Sequence, residues 1–474
     1  MEGKLTPTVA EEISDEAELA SPHAQYLNSS ALSLCILAAL EIEVPIDDSQ
    51  TVALIKEMFL PINPRFSSIL VKDDQGIGQW RRVSVKPEDH VHVPVFPGGL
   101  STAAYDGYFQ DYMSKISTET LRPDRPPWEI HLFKYPTSSA AGTVVFKLHH
   151  ALGDGFSLMG ALFSCLQRAD NPSLPLTFPA SLSKPIQDDH GSCGILTRTL
   201  RYISMVFNST SEFAWSLLRS NFWEDDKTPI RSGDAGIEFR PKIVSTLTLS
   251  IDQIRQIKDK IGATINDVLC GIIFYGTRLY MHTSSKKSSN LCSTALVLLN
   301  TRIIGNIQPI KEMMKQGTKA PWGNHFAFLH VPIPTLADSD TANPLDFVLK
   351  AKQIIRKKRS SLAVYLNGKL IDTMRQLRGP EKTAQYIHST IRKTSMGISN
   401  MVGPKEKMCL AGYPIGGLYF LVTGAPQCVS VTAVSYMGNL RIAVAVEKGF
   451  IDNQLFKSCM EKAFERISEA ALCT

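Results

Sequence analysis

The residues best suited to chemistry stand together at His149-His150-Ala151-Leu152-Gly153-Asp154-Gly155. An imidazole has an unperturbed pKa of about 6.5, close to working pH, so a histidine placed beside an alcohol can take its proton and later return it. Side chains along a strand alternate between two faces. The run Thr143 to His150 alternates well enough to be a strand, with Val144, Phe146, Leu148 and His150 on one face and Val145, Lys147 and His149 on the other. Lys147 marks the second face as the wetter one. His150 is therefore expected to point into an apolar interior or channel as a general base, with His149 as support. Because the pair diverges, it is not expected to chelate a metal, and no His-Glu-x-x-His or similar ligand set occurs elsewhere. Gly153 and Gly155 are expected to permit a sharp turn that a Cβ would strain. Asp154 has two readings: it orients the imidazole, or it holds the turn through backbone or arginine contacts. The second is preferred.

The elements that must position these residues follow from periodicity. After the Gly-Asp-Gly turn, Phe156 to Ala169 carries apolar residues at 158, 159, 162, 163 and 166, the spacing of one helix face. Further along, Ser250 caps a helix containing Ile251, Ile254 and Ile257, and Thr264-Ile265-Asn266-Asp267 resembles a helix start. Ala295 to Leu299 and Phe326 to Ile333 read as strands, and Asn343 to Leu377 as mostly helical. Val429 to Tyr436 and Leu440 to Glu447 read as strands about a tight turn at Gly438-Asn439. A helix from Asp452 buries Leu455, Phe456, Met460, Phe464 and Ile467. The apolar run Ala31 to Leu40 is too short to cross a bilayer and is read as a core helix.

The 474 residues are 44% apolar, enough for more than one core. A polar, Pro-rich connection divides them into an N-terminal domain (1–175), a linker (176–236) and a C-terminal domain (237–474), each mixed α/β. The net charge of +5 is too small and dispersed for nucleic acid, and no nucleic-acid motif occurs. Nine cysteines without a Cys-x-x-Cys pair suggest reduced thiols, and Cys270 is read as a plain buried thiol. The opening Met1-Glu2-Gly3-Lys4 and the acidic stretch that follows do not have the pattern of a signal peptide. Ile195 to Trp223 mixes apolar and aromatic residues with Arg198, Arg201, Glu212 and Arg219. It is read as a packed linker helix, with interfacial membrane contact as the alternative and a membrane span disfavoured by its charges.

His-His-x-x-x-Asp-Gly resembles the signature shared by acyl-CoA-dependent transferases and condensation domains. More of the chain resembles one branch, the plant-type wax ester synthase/diacylglycerol acyltransferases. Arg125-Pro126-Pro127-Trp128-Glu129 looks like their Pro-Leu-Trp-Glu element, with Pro127 where Leu is usual. Asn266-Asp267, Asn300-Thr301-Arg302, Gly323-Asn324, Ser399-Asn400-Met401-Val402-Gly403-Pro404 and the stretch from Ser21-Pro22 to Leu40 also fit. The Asp-Phe-Gly-Trp-Gly string usual in transferases for phenolic and alkaloid alcohols does not occur. The resemblance implies an α/β fold of two similar domains with a tunnel between them, His150 as catalytic base and Asp154 as mainly structural.

It also implies acyl-CoA as a substrate, with no separate cofactor and no metal. The acceptor would be a long-chain alcohol or diacylglycerol. The partner surface would be a peripheral membrane or lipid droplet, at the cytosolic face of the endoplasmic reticulum, with the plasma membrane as a second location. Asn266 and Asp267 then either cap a helix or line the tunnel, and Ser399 and Asn400 either shape a turn or donate to an oxyanion. Arg302 is a buried partner for a carboxylate or a solvated residue. Trp128 is read as a core anchor before a substrate platform, and the basic run Lys350 to Arg359 as a solvated face before a phosphate site. A transferase for small phenolic or amine acceptors and a non-catalytic lipid-binding member of the fold are the competing readings.

Overall fold

The computed structural model describes residues 18–74, 76–177, 222–288, 290–300, 322–336, 343–359, 361 and 363–472. Ile195 to Asn221 and Thr301-Arg302, both singled out above, lie outside the described residues. Among those described, the strands form one small sheet and two large ones. The small sheet joins β1 (Glu18–Leu19), β3 (Ser68–Lys72) and β4 (Gly78–Arg82) in the order β1-β4-β3. A seven-stranded sheet contains β2 (Cys35–Ile42), β5 (Val91–His92), β6 (Trp128–Phe133), β7 (Gly142–His149), β8 (Leu166–Arg168), β13 (Met408–Leu410) and β14 (Tyr413–Thr423). Its order is β5-β6-β7-β2-β14-β13-β8. A six-stranded sheet contains β9 (Lys242–Ser250), β10 (Thr294–Asn300), β11 (Phe326–Pro332), β12 (Met396–Val402), β15 (Val429–Tyr436) and β16 (Asn439–Glu447), in the order β11-β10-β12-β15-β16-β9.

The expected division at residue 237 is therefore not clean. β13 and β14 leave the C-terminal half and complete the N-terminal sheet, β14 pairing antiparallel with β2 from Thr423↔Cys35 to Ile415↔Ile42. Arg441 on β16 also reaches Glu41 on β2 at 2.8 Å, a largely buried ion pair between the halves.

The run Ala31 to Leu40 is corrected as well: it leads into the central strand β2, buried at every position. Ile36, Ala38 and Leu40 enter one core, while Leu37 and Ala39 enter another shared with Val145, Met113, Ile116, Ala443 and Ala445. A strand covered on both faces loses its polar alternation and reads like a buried helix segment. The β15–β16 turn is also displaced by one residue. Met437 and Gly438 both have positive φ, 49° and 75°, as a two-residue hairpin of the primed type requires.

The helices follow their apolar stripes. Ile251–Lys260, Ile265–Ser284, Leu345–Arg359 and Asn453–Leu472 pack on the six-stranded sheet, with Ile254, Ile257, Phe274, Phe347, Phe456 and Met460 in one continuous core. Each such residue, buried, contributes about 1.5 to 3 kcal/mol of apolar transfer. The expected long helix after Asn343 is two, Leu345–Arg359 and Ala363–Arg392, the second broken at Gly379 (φ 79°) before Pro380. Among the described residues no helix is long and apolar enough to cross a membrane.

Candidate active site

The helix Gly155–Ser164 begins because Asp154 caps it, the carboxylate Oδ1 accepting from the Ser157 N–H at 2.9 Å. The other oxygen, Oδ2, accepts from the His325 N–H at 2.8 Å. Gly323 binds the same turn through both backbone groups: its carbonyl accepts from the Asp154 N–H at 3.2 Å and from Ser157 Oγ at 3.0 Å, and its N–H donates to that Oγ at 3.2 Å. Trp322 adds a bond from Nε1 to the Leu152 carbonyl at 2.9 Å. Asp154, 4% exposed, thus ties the His-motif turn to the residues leading into β11, in the other half of the chain. These contacts hold the turn through backbone N–H groups. The strain that a Cβ would bring at the glycines is one of space. Neither has positive φ. A Cβ at Gly153 would lie 2.9 Å from Ser157 Cβ, so something there would have to shift, whereas one at Gly155 would lie 3.0 Å from Met401 Sδ, on a flexible side chain that can move aside. Close approach rather than a left-handed backbone accounts for Gly153.

The two histidines sit in opposite tautomers. Asn324 Nδ2 donates to the His150 carbonyl at 2.9 Å, which fixes the orientation of the amide. Its Oδ1 must then be the atom 2.8 Å from His150 Nδ1, and an amide oxygen only accepts. Nδ1 therefore carries the proton and Nε2 is the unprotonated nitrogen. No hydrogen bond from the described residues reaches Nε2. Burial pulls the His150 pKa down, opposed by the charge of Asp154 and by the Asn324 hydrogen bond. In His149 the Ala151 N–H donates to Nδ1 at 3.1 Å, so Nε2 carries the proton and meets Ser33 Oγ at 3.0 Å. Burial, with His150 nearby, lowers the His149 pKa to about 3 and keeps it neutral.

His149 and His150 point to different partners, as alternation predicts, but the second face of β7 is not wet. Lys147 is 1% exposed, its ammonium 3.4 Å from Glu129 Oε2 on the adjacent strand, where the register places Glu129 opposite it. The same oxygen lies 3.3 Å from His131 Nε2. A paired lysine can be buried, so its presence did not mark a solvated face.

The remaining candidates separate. Asp267 closes a capping box with Thr264: its Oδ2 accepts from the Thr264 N–H at 2.9 Å, and its own N–H donates to Thr264 Oγ1 at 3.1 Å. Its carboxylate is thus engaged at its own helix end. Asn266, half-buried, lies one position earlier on the same helix, which packs on helices of its own half. Ser399 and Asn400 lie on β12 and point to opposite faces. Ser399 shares the side of Met401, which packs toward the N-terminal core, whereas Asn400 shares the side of Ile398 in the C-terminal core. Trp128 is fully buried, donating from Nε1 to the Phe66 carbonyl at 2.8 Å and stacking on His90, and is a core anchor. The basic run lies on Leu345–Arg359 with Lys350, Arg356, Lys357 and Arg359 exposed. Burial pushes the Cys270 thiol far up, consistent with an inert thiol.

Sequence reasoning assigned no role to Asn324, His325, Ser157 or His23. Gly323-Asn324 stood out only as part of a resemblance, because the contact that gives Asn324 its meaning spans 174 residues.

Two α/β layers joined by two strands that return to the first, with a buried His-His loop bridged to the second layer, define a chain of the condensation-domain and acyltransferase fold. The first condensation domain of the calcium-dependent antibiotic synthetase superposes with a TM-score of 0.58 at 13% identity, covering 96% of each chain. The wax ester synthase/diacylglycerol acyltransferase from Marinobacter aquaeolei VT8 also gives 0.58, at 14% identity, covering 96% of this chain and 99% of that one.

The sequence narrows this class. Residues 48–269 match the wax ester synthase/diacylglycerol acyltransferase catalytic domain and residues 322–468 the WS/DGAT C-terminal domain. Wax ester synthase/diacylglycerol acyltransferase 4 of Arabidopsis thaliana is 27% identical over 475 residues, covering 96% of this chain and 90% of its own. Number 11 of the same plant is 28% identical over 451 residues, covering 91% and 90%. The chain belongs to the wax ester synthase/diacylglycerol acyltransferase family.

Proposed function

We propose that the protein is an acyl-CoA-dependent O-acyltransferase that moves a fatty acyl group from acyl-CoA to the hydroxyl of a long-chain alcohol or a diacylglycerol. The observation that carries this is the tautomer of His150: Nδ1–H is fixed by Asn324, and Nε2 is left as a base. In the reaction, Nε2 accepts the acceptor's hydroxyl proton as the oxygen attacks the thioester carbonyl. The tetrahedral intermediate collapses with cleavage of the carbon–sulfur bond, and the imidazolium protonates the departing CoA thiolate. The positive charge that forms on His150 strengthens the Nδ1–H bond to Asn324, so the bond is worth more in the transition state than before it. Ser399, on the face of β12 that meets the N-terminal layer, is the candidate donor to the oxyanion.

The test is product analysis of purified protein with labelled palmitoyl-CoA offered hexadecanol and diacylglycerol. Ester should form with at least one acceptor, and His150→Ala should reduce turnover by about 10²- to 10⁴-fold. Wild-type turnover in that variant would sink the mechanism, and no ester from either acceptor would sink the activity.

Both substrates partition into lipid, so peripheral attachment at the cytosolic face of the endoplasmic reticulum or at a lipid droplet follows from the proposal. The exposed pair Phe222 and Trp223, 82% and 62% accessible, supports it. The full chain should float with phosphatidylcholine liposomes, and Phe222→Ser with Trp223→Ser should weaken flotation. An equal distribution of both proteins in the aqueous fraction would contradict attachment.

A further inference from the structure

A second histidine shares the surroundings of the base. His23 stands on the short helix Pro22–Leu27, and its ring packs on Phe326 at 5.8 Å between centroids, while the His150 ring packs on the same Phe326 at 5.3 Å. Tyr26 lies 5.2 Å from the His23 ring, and Phe328 lies 5.4 Å from Phe326. Tyr26, Phe326, Phe328 and Ile371 belong to one apolar cluster where the N-terminal helix meets β11 and the helix Ala363–Arg392. His23 is a polar group beside that cluster. It is half-buried, and among the described residues no hydrogen bond holds either ring nitrogen. The imidazole senses His325, Asp372, Asp154 and His150, and burial, the largest influence, lowers its pKa to about 4. At neutral pH it therefore offers one donor and one acceptor.

We infer that His23 is a specificity-determining residue, which hydrogen-bonds an oxygen of the acyl acceptor other than the hydroxyl held by His150. The argument is one of polar satisfaction. The chain of a simple alcohol has only methylene groups beyond its hydroxyl, and packing them against an imidazole leaves the ring nitrogens unpaired. A diacylglycerol carries ester carbonyls a few bonds from its free hydroxyl, and the two imidazoles pack on one phenylalanine, at 5.8 and 5.3 Å from its ring centroid. His23 thus favours the glyceride, whereas the aromatic wall accepts either chain. The inference rests on the acyltransferase reading above.

The experiment uses purified full-length protein, palmitoyl-CoA, and hexadecanol or 1,2-dipalmitoylglycerol in mixed micelles, with thermal midpoints measured alongside. His23→Leu should lower kcat/KM for the diacylglycerol by about tenfold or more, mainly through KM, and leave that for hexadecanol no lower than wild type. His23→Gln, which keeps a donor and an acceptor, should restore most of the loss. An equal change for both acceptors, no change for either, or a His23→Gln variant as impaired as His23→Leu would overturn the inference. A wild-type protein that acylates hexadecanol but not the diacylglycerol would overturn it while leaving the acyltransferase reading intact. Only failure with both acceptors removes that reading too.

Discussion

Replacing Asn324 by leucine keeps the side chain's size and removes both of its bonds to His150, the 2.8 Å bond from Nδ1 and the 2.9 Å bond to the carbonyl. The first holds the proton on Nδ1, and it becomes a bond to a cation once Nε2 has taken the substrate's proton. Hydrogen bonds to charged groups are worth about 1.5 to 3 kcal/mol, so losing this one should cost roughly 10- to 150-fold in kcat, with KM little altered. The pH profile gives a sharper readout. His150 acts as a base only when Nε2 is unprotonated, so activity falls as pH drops through its pKa. The Asn324 hydrogen bond raises that pKa, against the lowering by burial. Leucine should therefore move the acid limb of kcat/KM to lower pH. Asn324→Asp, which sets a carboxylate beside Nδ1–H, should move it to higher pH. The assay is ester formation from palmitoyl-CoA between pH 5 and 9, with thermal midpoints to separate folding from chemistry. Should leucine prove unstable, the aspartate variant carries the test through its opposite shift. Limbs that coincide with wild type in both variants, with kcat within threefold, would refute the assignment of Asn324 as the residue that sets the tautomer.

Other outcomes follow from the same contacts. His149 is held neutral with a pKa of about 3 in the folded protein, well below the unfolded value. The unfolded chain takes up the proton first, so the stability from this residue is intact above about pH 6.5 and declines between about 6.5 and 3, by about 2 kcal/mol at pH 5; a urea midpoint unchanged between pH 7.5 and 5 would contradict this. Asp154→Asn replaces one accepting oxygen with a donor facing a backbone N–H and should lower stability by about 1 to 3 kcal/mol, whereas full stability with lost turnover would point to direct orientation of the imidazole. Gly153→Ala forces its new Cβ against Ser157 and should cost about 1 to 3 kcal/mol, read from denaturant midpoints. Glu129→Leu strands the buried Lys147 ammonium and should cost about 3 to 5 kcal/mol, most of which the double change with Lys147→Met should return.

Local periodicity carried some of these features and was blind to others. The divergence of His149 and His150 was legible because a strand's alternation is fixed by its backbone, whatever surrounds it. The caps at Ser250 and Thr264 were legible for the same reason, since a cap bonds to its own helix. Burial on both faces is set by neighbours distant in sequence, so β2 passed for a helix and Lys147 for a mark of solvent. The return of β13 and β14 to the first sheet left no local signal, because pairing with β2 is chosen between strands almost 400 residues apart. Asn324 is the instructive case for the site. As an isolated amide after a glycine it is chemically neutral, and only the carbonyl of His150 decides which end of it faces the imidazole. A residue that works through a neighbour's tautomer becomes visible only when both ends of the contact are in place. It follows that the residues most useful for tuning this base are those that grip it from the other half of the chain, and that the His-His-x-x-x-Asp-Gly loop alone is not a complete catalytic unit.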